Sequence, residues 1–246
     1  MENSRYKGLK IAIADSGAGG LNLLKKLFYT LPANYVYFAD GKNFPYGNKT
    51  ARQLFQIGKQ IVERYDDVDA IVFACNTMSQ NCLSALQAAF PQKRIIGCTP
   101  PVNQASTYTA NNFVLLATPS TINATKRLPY SAIPVPCYDL ATLVENNAKD
   151  VELLEHLEGL LSAVDKPFDC IVLGCTHFSV LKTLLYRLYP AIKIFDSVDG
   201  VANRIKKTFK NRTNWQTATS FVRFESFDDS LLEKYSKIIS QFTDFP

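Results

Sequence analysis

The chain has 246 residues, of which 47% are hydrophobic and 20% charged, with a formal charge of +5. That balance excludes a disordered chain and provides for one large core or two modest ones. No apolar run approaches the roughly 18 residues of a membrane helix, and the opening MENSRYKGLK is too polar for a secretory signal. Six cysteines without a C-x-x-C pair do not make a disulfide framework, so the expected compartment is the cytoplasm and the thiols are expected to be reduced. The one basic cluster, RIKKTFKNR at 204–212, reads as a solvated helix end, and no nucleic-acid or membrane partner is expected.

Periodicity then predicts alternating strands and helices along the chain. The first series runs strand 9–15, helix 21–31, strand 35–40, helix 50–65, strand 70–75, a helix to about 90 and strand 94–98. The second runs strand 113–118, a short helix after Pro119, strand 134–138, helical patterns over 140–163, strand 170–175, helix 178–188 and strand 193–197. A strand in SFVRFES (220–226) and a helix in DDSLLEKYSKII (228–239) are expected to return to the first unit. Strands apolar on both faces and joined by helices form parallel sheets covered on both sides, so the fold class is α/β. In such sheets ligands sit beyond the carboxyl ends of the strands.

Two of those ends match. IVFACNTMS (71–79) and IVLGCTHFS (171–179) share Ile-Val, a large apolar residue, a small residue, Cys, three residues and Ser, with the cysteines 100 positions apart. IADSGAGG (13–20) and LATPSTI (116–122) give a weaker echo. The pattern predicts a duplicated chain, with a first domain of 1–97 plus about 208–246 and a second of 98–207, and Cys75 facing Cys175 across a cleft. A cysteine at a strand end lies at the start of the following helix, whose free N–H groups favour the thiolate. The other cysteines, Cys82, Cys98, Cys137 and Cys170, read as packing residues.

Paired thiols across a cleft suit removal of a proton from one face of a carbon and its return from the other, which is racemisation or epimerisation. His177 could exchange a proton with Cys175, and Asp15 could orient an amino group or assist Cys75. Ser16, Asn76, Thr77, Thr176 and NFPYGN (43–48) supply polar groups at the same strand ends. None of these motifs contains arginine, so a carboxylate would be held by backbone N–H groups, hydroxyls and amides. DSGAGG lacks the spacing of a dinucleotide or Walker motif. Its glycines are expected to let the backbone approach a small carboxylate.

DSGAGG, DGKNFPYG (40–47), ACNT, LVE (143–145) and GCTH, in that order across about residues 9–200, resemble the glutamate racemases of the cofactor-independent aspartate/glutamate racemase superfamily. The resemblance implies two similar α/β domains related by a pseudo-twofold axis, no cofactor and no metal. It further implies interconversion of L- and D-glutamate for peptidoglycan, and a homodimer. It makes Cys75 and Cys175 the acid/bases, Cys75 acting on D-glutamate and Cys175 on L-glutamate, with Asp15, Glu145 and His177 assisting. Substrate contacts fall at Asp15-Ser16, Tyr46-Gly47, Asn76-Thr77 and Thr176-His177. The alternatives are racemisation of aspartate or another small acid, a metal site of Cys75, Cys175 and His177, and a non-catalytic binding protein that keeps the fold.

Overall fold

The computed structural model describes residues 8–125, 128–211, 220–228 and 233. In it, short apolar segments form two parallel sheets. The first sheet takes β1 (Lys10–Asp15), β2 (Asn34–Ala39), β3 (Ala70–Phe73), β4 (Ile95–Gly97) and β9 (Phe221–Glu225), in the order β4-β3-β1-β2-β9. The second takes β5 (Phe113–Ala117), β6 (Ala132–Pro136), β7 (Cys170–Leu173) and β8 (Lys193–Phe195), in the order β6-β5-β7-β8. Read from β8, the second order repeats β4-β3-β1-β2 of the first, so the expected duplication has a counterpart in topology. It also puts the strand before each matched cysteine, β3 or β7, directly beside the first strand of its own sheet, β1 or β5.

The central strands β3, β5 and β7 are buried throughout, because helices cover both faces of each sheet. Helix α1 (Leu21–Phe28) lies on one face of the first sheet, and α2 (Ala51–Arg64) and α3 (Asn76–Ala89) lie on the other. A capping box of Thr50 and Gln53 begins α2, satisfying donors that a helix start leaves free. On the second sheet, α6 (Leu140–Glu145), α7 (Asp150–Ser162) and α8 (Lys182–Leu188) bury Leu140, Leu157 and Leu185 against Val114, Leu116 and Ile171. The prolines of β6, Pro134 and Pro136, fall on an edge strand, where a missing N–H costs least.

Several details differ from the sequence reading. Residues 102–108 form an additional helix, α4, and α5 occupies Pro119–Ala124. The segment after Cys175 opens as a 3-10 turn over Thr176–Leu181 before α8, and 3-10 turns at Gly41–Asn43 and Tyr46–Asn48 shape the loop after β2. Strand β9 pairs in parallel with β2, so the tail does rejoin the first sheet, while the helix expected over 228–239 lies outside the described residues apart from Asp228 and Glu233. Helix α9 (Val198–Phe209), which a boundary at 207 would assign to the second unit, buries Val201, Ala202, Ile205 and Phe209 in the core of the first.

Leu116, on the central strand β5, is fully buried. Leu116→Ala is expected to cost about 2–5 kcal/mol through lost burial and the cavity left behind. Urea unfolding checks this, and an unchanged midpoint would contradict the packing described.

Candidate active site

Four strands end at the cleft between the sheets. β1 delivers Asp15 and Ser16, β3 delivers Cys75, β5 delivers Thr118 and β7 delivers Cys175. Cys75 and Cys175 line one cavity of about 20 Å³ together with Ser16, Tyr46, Gly47, Thr77 and His177. That volume holds about one water molecule. Among the described residues, no lysine or arginine lines it. A larger pocket of about 330 Å³ lies at the opposite, amino ends of β1, β2 and β9, lined by residues such as Lys10, Asn34 and Phe221. It is remote from the thiols and from the strand ends where α/β sheets bind ligands.

Cys175 opens a relay. Its Sγ lies 3.9 Å from His177 Nδ1, and His177 Nε2 lies 2.9 Å from Glu145 Oε2. The first distance is long for a hydrogen bond, as such contacts often are before substrate tightens them. Burial alone would lower the affinity of His177 for a proton, but its contacts with Cys175 and Glu145 win and raise its pKa to about 10. The imidazole is therefore charged at neutral pH and can donate from both nitrogens, one toward sulfur and one to the carboxylate. Glu145 is 4% exposed and also accepts the Ala18 N–H at 2.9 Å.

Cys75 sits in different surroundings. It precedes α3 as its N-cap, and the amides of Thr77 and Met78 do lower its pKa, yet burial first and the nearby Asp15 carboxylate second raise it well above the usual thiol value. The helix start is thus outweighed, and Cys75 rests as the neutral thiol. Asp15 is itself pushed up, chiefly by burial, against the opposing pull of His177. Its carboxylate accepts from the Gly17 N–H at 3.1 Å and from the Thr176 hydroxyl at 3.1 Å.

Asp15, Asn76, Thr176 and Glu145 stand behind the residues that line the cavity rather than on its wall. Asn76 Nδ2 donates to the Cys98 carbonyl at 3.3 Å, while its Oδ1 is buried without a partner among the described residues. The sequence reading did not single out Thr118, Thr121, Tyr138 or Ala141. The hydroxyls of Thr77, Thr118 and Thr121 lie within 2.9–3.1 Å of one another across the cleft, and Thr118, Tyr138 and Ala141 line the cavity. The echo between IADSGAGG and LATPSTI pointed to Thr118 as a strand-end residue. The glycines of DSGAGG have another use than the one expected. A Cβ on Gly17 would stand 2.5 Å from Glu145 Oε2, and one on Gly19 would stand 2.5 Å from His177 Nδ1 and 2.8 Å from its backbone nitrogen. They let the first unit close onto the relay of the second. Among the described residues, no group of three or more His, Cys, Asp or Glu side chains is placed to hold a metal ion.

A model of the Asp/Glu/hydantoin racemase family matches residues 34–205, more than half of the chain. The chain belongs to that family. Among similar relatives, a glutamate racemase of Clostridium botulinum is 30% identical over 223 residues, spanning 84% of this chain and 86% of the relative. One of Clostridium novyi is 32% identical over 240 residues, spanning 90% and 93%. Among solved structures, a glutamate racemase isoform from Bacillus anthracis superposes with a TM-score of 0.84 at 23% identity, covering 98% of this chain and 96% of that one. The Escherichia coli glutamate racemase in complex with L-glutamate and the activator UDP-MurNAc-Ala gives 0.73 at 25% identity, covering 93% and 95%.

The raised pKa of His177 sets the sign of a pH effect. A group whose folded value, about 10, lies above its ordinary 6.5 stabilises the fold fully below about 6.5 and loses that contribution as pH rises through about 10. The gap in unfolding free energy between the wild type and His177→Asn should therefore shrink from pH 6 to pH 10, whereas a constant gap would contradict a charged, buried imidazole.

Proposed function

We propose that this chain interconverts L- and D-glutamate without a cofactor, with Cys75 and Cys175 as the two acid/bases, and so supplies D-glutamate for peptidoglycan synthesis. The observation that carries the reading is that sulfurs from two matching strand ends line one cavity. The glutamate racemases among the relatives, each matched over most of both chains, favour glutamate over aspartate as substrate.

Deprotonation of Cα turns a tetrahedral carbon planar, and inversion follows if the proton returns to the other face. With L-glutamate bound, Cys175 is the base that takes the α-proton, with the His177 imidazole beside its sulfur. The Cys75 thiol then delivers its own proton to the opposite face. With D-glutamate the two roles exchange. His177 moves protons to and from Cys175, Glu145 holds the imidazole by its Nε2–H, and Asp15, fixed by Thr176 and the Gly17 N–H, faces the amino group near Cys75. Ser16, Tyr46-Gly47, Thr77 and His177, which line the cavity, hold the substrate, with Asn76 and Thr176 supporting them from behind. Among the described residues the lining offers hydroxyls, amides and N–H groups but no arginine, and donors of that kind can bind two carboxylates. A cavity of about 20 Å³ admits an amino acid only when the two units part.

The packing of α9 supports a division in which the chain crosses to the second unit near 98 and returns near 197. Six unpaired cysteines support a reducing cytoplasm, and the family resemblance supports a homodimer.

Single substitutions test the proposal. Cys75→Ala and Cys175→Ala are each expected to lower racemisation by about 10²–10⁴-fold, since each removes a group that must give or take the proton. Full activity in either variant would sink the two-thiol scheme.

A further inference from the structure

The segment 40–47 enters the proposed function through Tyr46 and Gly47, but Phe44 of the same segment also reaches His177. By chain position Phe44 belongs to the first unit. Its half-buried ring nevertheless packs against the core of the second, and its centroid lies 5.5 Å from that of the His177 imidazole, the planes tilted by 50°. Phe44 also lines the cavity that holds both sulfurs.

The loop that presents the ring is anchored at both ends. The Asp40 carboxylate accepts the Asn43 N–H at 3.2 Å and the Asn43 side-chain amide at 3.0 Å, and the Tyr46 hydroxyl donates to it at 2.7 Å. The capping box at Thr50 fixes where α2 begins. Phe44 is therefore held on a short, braced span.

The imidazole needs such a brace. Within its own unit His177 is tied by one strong hydrogen bond, at Nε2, and a ring held at one corner can swing. Its Nδ1 is already 3.9 Å from Cys175 Sγ, so a small swing takes it out of reach. The Gly19 backbone comes close on one side, since a Cβ added to it would stand 2.5 Å from Nδ1. Phe44 supplies a second restraint from the same unit, excludes water beside the imidazole, and brings its ring within the roughly 6 Å over which an aromatic attracts a cation.

We infer that Phe44 is a positioning residue for the proton exchange at Cys175, holding the His177 ring toward that sulfur whenever the two units are closed. The inference rests on the reading of Cys175 and His177 as acid/base groups for L-glutamate. It makes Phe44 act on one of the two proton transfers and leave the other, at Cys75, unchanged.

That asymmetry supplies the test. Enantiomers have equal free energy, so kcat/KM must be the same in both directions for any variant, and rates alone cannot reveal which transfer has slowed. Primary isotope effects can. In Phe44→Ala, kcat/KM should fall about ten- to a hundredfold, as misplacement of a reacting group by a fraction of an ångström to one ångström does. The isotope effect on kcat/KM with Cα-deuterated L-glutamate should rise, because removal of that deuteron by Cys175 now limits the rate. With Cα-deuterated D-glutamate it should fall, because the deuteron leaves to Cys75 before the slow step. Phe44→Leu, which fills most of the space and preserves folding, should show the same opposed shifts with a smaller loss of rate. Isotope effects that stay unchanged, or that move in the same direction, would mean that Phe44 only shapes the cavity and would overturn the inference. A wild-type chain that exchanges no Cα hydrogen on glutamate would overturn the racemase reading beneath it.

Discussion

A single carboxylate oxygen, Glu145 Oε2, receives both the imidazole of His177 and the backbone N–H of Ala18, and the arrangement of the cleft depends on that shared acceptor. The first bond aligns the ring beside Cys175 within the second unit. The second ties that ring's support to the DSGAGG loop of the first unit. Because the oxygen is buried, each bond is stronger than it would be in water, and leaving it unpaired would be costly. One oxygen therefore both joins the two units and orients the imidazole beside Cys175.

Other contacts across the cleft follow the same rule. Thr176 donates to Asp15, and Thr77 meets Thr118 and Thr121, so side chains that serve the site also hold the units together. Beneath the cleft the chain crosses twice between the units, and the two crossings touch. Cys98 Sγ lies 2.9 Å from Ser197 Oγ, and Arg204 donates to the Gly97 carbonyl. Asn76, beside Cys75, reaches the same crossing through the Cys98 carbonyl. Apolar packing joins the units as well, since Phe44 of the first lies against the core of the second.

Much of this was legible in the sequence. Apolar runs at strand length, alternating with amphipathic helices, indicated two parallel sheets, and the repeat of IVFACNTMS in IVLGCTHFS located both sulfurs. What the sequence obscured depends on relations between distant segments. Nothing local in Val198–Phe209 says which sheet it covers, since its apolar stripe would suit either. The glycines of DSGAGG suggested room for a ligand carboxylate, whereas the carboxylate that Gly17 approaches is that of Glu145. The start of α3 suggested an activated Cys75, but burial and Asp15 outweigh the helix amides, and burial is a property of the assembled cleft. Thr121 and Tyr138 carry no motif of their own and reach the site through folding alone.

The most direct test of two bases on opposite faces is to incubate the protein with L-glutamate in D₂O and examine the first D-glutamate formed, together with the L-glutamate that remains. Two thiols that exchange with solvent should put deuterium at Cα of nearly all the D-glutamate while the recovered L-glutamate stays largely protiated. Equal early labelling of both enantiomers, or D-glutamate that keeps the original proton, would point to a single base and contradict the account.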